Sequence, residues 1–103
     1  MPGKKLADNS FSIKENSWLA GIAAKKLRAA SVAMVLGNTI HLYNTHKEEF
    51  LKNEKWVRHE LCHIRQFRQH GYIGFIVKYL WESIRKGYYN NKFEVEARAA
   101  EQL

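Results

Sequence analysis

Apolar residues recur along most of this chain at steps of three and four positions, the period of an α-helix with one buried face. Ser17 precedes the first such segment and is a favourable N-cap, because its hydroxyl can accept a hydrogen bond from a free backbone N–H. The pattern therefore predicts a first helix over residues 17–29. Its apolar positions are Trp18, Leu19, Ile22, Ala23 and Leu27.

The period changes to two in residues 31–43, where two β-prone runs flank Gly37 and Asn38. That pair suits a two-residue hairpin turn. Beyond it, Ile40 and Leu42 alternate with more polar residues, as in a strand with one buried face. We predict an antiparallel hairpin, which is either purely structural or offers an exposed edge to an extended peptide.

Helical spacing returns after the hairpin. Thr45 and Glu48 have the spacing of a capping box and predict a short turn over 47–52. Asn53 is then the predicted N-cap of a longer helix from about 54 to 70, which ends at a glycine.

A further apolar segment follows, and a turn over 87–91 separates it from a final helix over 92–101 that Asn90 or Asn91 can cap. A stripe at helical spacing is typical of a core-facing surface, so we predict that this segment's stripe is buried; a cofactor groove is the alternative. The stripe consists of Ile73, Ile76, Val77, Leu80 and Ile84.

Together these elements predict an α+β fold that is mainly helical. A small antiparallel hairpin would pack against the helix at 54–70 and the C-terminal helix. At 103 residues the chain has room for one core. We expect a flexible N-terminal arm at 1–10 and a single minimal domain at 11–103. The chain has no apolar run of about 18 residues, which a membrane-spanning helix would require, and no secretory leader is apparent. A cytoplasmic location is therefore expected.

The formal net charge is +7. Such a charge can mark a surface for nucleic acid, anionic lipid or acidic protein, or it can be a solvated shell that keeps a small domain soluble. The basic residues are spread along the chain and form no block of five or six, which favours the shell. Nucleic acid is therefore a less favoured partner that the charge alone does not exclude.

The helix at 54–70 contains H-E-x-x-H as His59, Glu60 and His63. Residues four apart lie on the same helical face, so both imidazoles can bind one metal ion while Glu60 lies beside it. Zn²⁺ suits these ligands and, in catalytic sites, activates a water molecule whose proton a neighbouring carboxylate can take. Cys62 is interpreted as a small core residue on the flank, with a ligand or thiol switch as the less favoured alternative.

Two histidines need a third ligand, and a glutamate completes a known zinc set. The final helix offers Glu94, Glu96 and Glu101. Since Glu94 and Glu96 lie far apart around a helix, both cannot bind one ion.

Taken as a whole, residues 30–103 resemble the gluzincins, zinc peptidases with H-E-x-x-H on one helix and a glutamate ligand on a later one. The short single-domain members, the minigluzincins, are the most similar. Their glutamate often begins an E-x-x-A pattern, which Glu94 to Ala97 matches, so the resemblance implies Glu94 as the ligand and Glu96 as the alternative. Arg98 stands where that clan commonly has an Asp or Asn that orients a metal histidine.

The resemblance implies a zinc-dependent metallopeptidase, a hydrolase of peptide or protein substrates, with Zn²⁺ bound by His59, His63 and Glu94 and with Glu60 as general base. One rival hypothesis is a basic binding module whose metal is structural or absent. Another is a degenerate peptidase kept as a scaffold. An active peptidase also needs a donor for the oxyanion. The candidates are Tyr88, Tyr89, His70 and Arg98.

Overall fold

The structure is a computed structural model that describes residues 11–103; the predicted flexible arm at 1–10 lies outside the described residues. Eight helices and strands follow one another within that range. In chain order they are β1 (Ser12–Lys14), α1 (Trp18–Leu27), β2 (Val32–Leu36), β3 (Thr39–Tyr43), α2 (Lys47–Lys52), α3 (Glu54–His70), α4 (Tyr72–Asn90) and α5 (Lys92–Ala100).

The predicted hairpin is confirmed: β2 and β3 pair antiparallel, with Val35 opposite Ile40. The sheet has a third strand that the pattern did not predict, because β1 pairs with β3 in parallel and places Ile13 opposite Ile40. The strand order is β1-β3-β2, so the sheet is mixed and β2 is an edge strand. Three residues are too few to show a periodic pattern, which is why β1 is visible only in the tertiary structure.

Helices cover both faces of this sheet. Ala20 and Ala24 of α1 pack against Val32 on one face. On the other face, Ile40 and Leu42 are fully buried in a cluster that includes residues of α3 and α4. The architecture is thus α+β and mainly helical, as predicted.

Two of the predicted N-caps are confirmed. The Ser17 side chain accepts a hydrogen bond from the backbone N–H of Ala20 at 3.3 Å. The Asn53 side chain accepts one from Trp56 at 3.1 Å. Both caps act within one helical turn, which is why the local sequence was sufficient to predict them.

The predicted cap of α2 is wrong by one position. His46, instead of Thr45, is the N-cap, and its backbone N–H donates to the carboxylate of Glu49, instead of Glu48, at 3.3 Å. Thr45 with Glu48 and His46 with Glu49 have the same three-residue spacing, so either pair could form a capping box. The spacing alone does not choose between these two pairs.

The predicted core face of α4 is also wrong, except at Ile76, which is half-buried and packs against the core cluster. Ile73, Val77 and Ile84 are 69%, 60% and 78% exposed. The buried face instead presents Phe75, whose ring meets those of Phe67 and Phe93 at 4.6 and 4.9 Å between centroids. Both faces of α4 have apolar residues at helical spacing, so the period alone does not decide which face is buried.

The turn predicted over 87–91 is a sharp break within α4, where Gly87 has φ 81° and ψ 165°. Three residues of α4 follow this break, and Asn91 then caps α5 by accepting a hydrogen bond from Phe93 at 2.8 Å. Asn91 is fully buried, and its amide donates to the backbone oxygen of Tyr79 and to the Ser83 hydroxyl. The cap thereby joins α5 to α4.

Among the described residues, the helices lack the combination of length and apolar character that crossing a bilayer requires.

Candidate metal centre

Helices α3 and α5 pack together and bring three predicted ligands to one point. His59 and His63 lie one turn apart on α3, with ring centroids 5.0 Å apart. Glu94 lies in the first turn of α5 and is 3% exposed. Its two carboxylate oxygens face one histidine each, at 3.1 Å from His59 Nε2 and 3.2 Å from His63 Nε2.

One donor atom from each of these residues lies within 4.8 Å of the others. Two imidazole nitrogens and a carboxylate oxygen form a donor set that zinc accepts in a tetrahedral site with one open position. The chemistry and the convergence of His59, His63 and Glu94 therefore fit the ion that the sequence predicted.

The other ring nitrogen of each histidine has a hydrogen-bond acceptor. His59 Nδ1 lies 2.7 Å from a carboxylate oxygen of Glu101, and His63 Nδ1 lies 2.8 Å from the amide oxygen of Gln66. A proton on each Nδ1 satisfies these contacts and leaves both Nε2 lone pairs for a metal. Such partners orient ligand rings and strengthen metal binding.

The carboxylate that can orient the His59 ring comes from Glu101 and not from position 98, where this chain has an arginine. The backbone oxygen of Glu101 accepts hydrogen bonds from the Arg58 guanidinium at 2.9 and 3.2 Å, which fixes the end of α5 beside His59. Arg98 instead donates to the backbone oxygen of Tyr89. Glu101 is seven residues beyond Glu94, so the two share a helical face, and that spacing was a usable signal.

Gln66 is a second site residue that the sequence reasoning missed. It is 1% exposed, and its amide donates to the Phe93 backbone oxygen and, at 2.6 Å, to the carboxylate of Glu96. The structure thus directs Glu96, the alternative ligand, to Gln66 while Glu94 faces the histidines. Since Gln66 follows His63 by three positions, it lies on the same face of α3, and a polar residue at that spacing could have been noticed.

The charges at the centre are coupled. Burial alone would raise the pKa of Glu94, but hydrogen bonds from His59, His63 and Tyr79 outweigh it and hold that pKa well below its usual range. Burial opposes protonation of both histidines, yet their bonds to Glu94 raise their pKa values. In the metal-free protein, the Glu94 carboxylate therefore favours the protonated form of both imidazoles.

Glu60 is 4% exposed, and its Oε1 atom has no hydrogen-bond partner among the described residues. Burial raises the pKa of Glu60 to about 8; His63 opposes this rise, and the charges of Glu94 and Glu101 add to it. A buried oxygen without a partner is costly and rare in native proteins, and a catalytic role is one of its explanations. A carboxyl group whose pKa lies near neutrality is well suited to accept and release a proton.

Two tyrosines of α4 complete the surroundings. The Tyr79 hydroxyl donates a hydrogen bond to Glu94, and burial together with that carboxylate raises the Tyr79 pKa. Burial and the same carboxylate raise the pKa of Tyr88. Tyr79 is not among the hydrogen-bond donors that the sequence predicted. Because it follows Phe75 by four positions, the two side chains share a helical face, and this spacing would have placed Tyr79 on the buried side of α4.

Of the predicted oxyanion donors, Tyr88 lines the cavity at the site. Arg98 lies over the ring of Tyr89, 3.9 Å from its centroid, and His70 contacts Phe75 and Phe93. Tyr88 is thus the predicted donor that the structure brings to the centre.

Cys62 is 2% exposed and packs with Ala97 and Ala100, which agrees with its interpretation as a core residue. Its burial raises the pKa of the thiol, and a neutral thiol is a poor metal ligand.

A cavity of about 620 Å³ opens beside the centre, and His59, Glu60, His63 and Glu94 contribute to its wall. The rest of its wall is mainly apolar and includes all five residues of β2. Successive residues of a strand point to opposite faces. Both sets line this cavity because it borders the outer edge of β2, which has no partner strand among the described residues.

Comparison with protein-family models, with curated proteins and with solved structures finds no match to this chain.

Proposed function

We propose that this protein is a zinc-dependent metallopeptidase that hydrolyses peptide bonds. The observation that carries the proposal is the convergence of His59, His63 and Glu94 beside the buried, unpartnered Oε1 atom of Glu60. A zinc ion bound by these three residues would polarise a carbonyl group and lower the pKa of water.

Glu60 would act as general base and then as general acid. Its carboxylate takes a proton from the attacking water and passes it to the nitrogen of the leaving amine. This role requires the ionised form, so a pKa of about 8 in the metal-free protein must fall when a cation adds its charge nearby. Glu101 and Gln66 hold the two imidazole rings in the orientation that leaves Nε2 available.

The edge strand β2 offers a way to hold the substrate. Its outer backbone groups, which pair with no other strand within residues 11–103, can bond to an extended peptide, as in strand addition. The apolar wall of the cavity includes Met34 of this strand and Ile76 and Leu80 of α4, which would accommodate an apolar side chain of the substrate. Tyr88 lines the same cavity and would donate its hydroxyl hydrogen to the oxyanion.

Zinc titration followed by a peptidase assay tests the proposal. We expect the metal-free protein to bind one equivalent of zinc and then to cleave casein or a fluorescence-quenched peptide until chelator is added. Glu60→Gln should retain zinc and lose at least about 100-fold in kcat, the usual scale for a general base. Glu54→Gln, an exposed change on the same helix, is the matched control and should retain both properties.

Three outcomes separate the rival hypotheses. Full hydrolysis by Glu60→Gln would contradict the assigned base. Stoichiometric zinc binding without hydrolysis of a broad peptide library would favour a structural metal or a degenerate scaffold. Absence of stoichiometric zinc binding would reject the metallopeptidase and leave the basic binding module.

A further inference from the structure

Helix α4 carries a continuous row of exposed apolar side chains on the face opposite the core. Their spacing of i, i+4, i+7, i+8 and i+11 places them along one side of the helix. Each is at least 55% exposed. We call this row the α4 stripe; it consists of Ile73, Val77, Leu80, Trp81 and Ile84.

The core does not need this row, because α4 packs through its other side. Phe75 and Glu82 are buried there, and Tyr79 packs against the same core cluster. At 100° per residue, Phe75 and Glu82 lie roughly opposite the centre of the stripe. A surface helix normally has one apolar face, and a contiguous exposed patch of large apolar side chains usually marks an interaction site.

The charges beside the stripe have one sign. The exposed charged residues of α4 are Lys78, Arg85 and Lys86. Its single acidic residue, Glu82, is buried, accepts a hydrogen bond from the Lys92 backbone and pairs with Lys86. At 100° per residue, Lys78 and Arg85 flank one side of the stripe, whereas Lys86 lies beside Glu82 on the other face. The helix therefore presents apolar side chains with positive charge along one border, on a protein of net charge +7.

This combination discriminates between possible occupants. A second copy docked through the same face would bring Lys78 and Arg85 of both copies together, and like charges oppose such pairing. Nucleic acid would neutralise the charges but would leave five large apolar groups without an apolar partner. An anionic bilayer surface satisfies both features, since amphipathic helices with basic borders lie in that interface.

We propose that the α4 stripe docks this protein on anionic lipid bilayers, with α4 lying in the plane of the surface. Leu80 belongs to the stripe and also lines the cavity at the candidate metal centre. Docking would therefore place the mouth of that cavity at the lipid interface. The proposal does not depend on the metallopeptidase hypothesis, because the stripe contains no metal ligand.

Vesicle co-sedimentation of the full chain tests the apolar part. We expect binding to vesicles of mixed phosphatidylglycerol and phosphatidylcholine, and little binding to phosphatidylcholine alone. Val77→Gln with Ile84→Gln should weaken binding more than about tenfold, since each buried methylene contributes to membrane affinity. Leu51→Gln with Val95→Gln, which changes two exposed aliphatic residues on other helices, should bind like the wild type.

A second pair of variants tests the charges. Lys78→Gln with Arg85→Gln should weaken binding by about 25-fold, because each basic residue near an anionic surface contributes about fivefold. Lys47→Gln with Lys52→Gln on α2 removes the same net charge and should have a much smaller effect. An equal loss in both pairs would mean adsorption by net charge alone and would overturn oriented docking.

Tryptophan emission provides an independent readout. Trp81 should move to shorter emission wavelengths when vesicles are added, and the shift should persist in Trp18→Phe and disappear in Trp81→Phe. Lack of binding to anionic vesicles, or unchanged binding by the Val77 and Ile84 variant, overturns the proposal. A dimer in light scattering that this variant abolishes, without vesicle binding, assigns the stripe to a second copy and also overturns it.

Discussion

The enclosed carboxyl group of Glu60 connects the stability of the metal-free protein to pH. Its pKa is raised from 4.5 to about 8 in the folded state. Between these values the folded protein keeps a proton that the unfolded chain has released. The unfolded state then binds fewer protons, so this residue's contribution makes the free energy of unfolding decrease as pH rises.

Glu60→Gln removes that contribution. We expect the variant to gain stability relative to the wild type as pH increases from 4.5 to about 8, by at most about 1.4 kcal/mol per pH unit. Urea unfolding at several pH values, with chelator present, measures the difference. Glu54→Gln is the exposed control, and a pH-independent difference between Glu60→Gln and the wild type would contradict the raised pKa.

Glu101 tests the support of the ligand rings. Replacing it with alanine removes the acceptor for His59 Nδ1, and the loss of such a partner typically weakens metal binding by 10- to 100-fold. We expect a loss of about that size for Glu101→Ala in zinc titrations with a competing chelator. Glu101→Gln retains an acceptor oxygen and should lose less; equal losses in the two variants would show that the hydrogen bond is not the cause.

At the scale of single residues, the sequence predicted those site residues that lie a few positions apart on one helix. His59, Glu60 and His63 follow from H-E-x-x-H, and Glu94 follows from the resemblance. The sequence offers Glu101 only as a possible metal ligand, because its contact with His59 joins residues 42 positions apart.

Helix α4 shows how an element combines a predictable period with an unpredictable orientation. Its apolar spacing was recognised, but the face assigned to the core is the exposed one. Periodicity identifies apolar faces and cannot rank two of them. That choice depends on Phe67 and Phe93, which come from other helices and pack against Phe75.

The break at Gly87 positions the last turn of α4, including Tyr88. Its φ of 81° and ψ of 165° lie in a region that is essentially restricted to glycine. We expect Gly87→Ala to destabilise the protein by about 1–3 kcal/mol in urea unfolding and to reduce hydrolysis by displacing Tyr88.

Gly74 is the matched control on the same helix. A Cβ atom there would meet no atom within 4 Å, so Gly74→Ala should be neutral or stabilise by up to about 1 kcal/mol. Similar destabilisation by both variants would show that the backbone conformation at Gly87 is not the reason.

For the whole molecule, a metal shared by α3 and α5 would couple folding to zinc. Zinc at 100 times its Kd should stabilise the folded state by about 2.7 kcal/mol. For a domain of this size that corresponds to roughly 10–20 °C in Tm. Differential scanning calorimetry with zinc and with chelator measures the shift.

Glu94→Gln should lose most of this shift, because an amide replaces the anionic ligand, while Glu60→Gln should retain it. An equal rise in Tm with zinc for Glu94→Gln and the wild type would show that zinc binds at a different site.

The sequence by itself determined the features that depend on residues a few positions apart: the helices, the hairpin, the caps at Ser17 and Asn53, and the shared face of His59 and His63. Short-range sterics and hydrogen bonds decide these. Only the tertiary structure decided that β1 joins the sheet, which face of α4 is buried, and that Glu94 and Glu101 reach α3. Those outcomes depend on contacts between distant segments, whose relative free energies a local pattern does not contain.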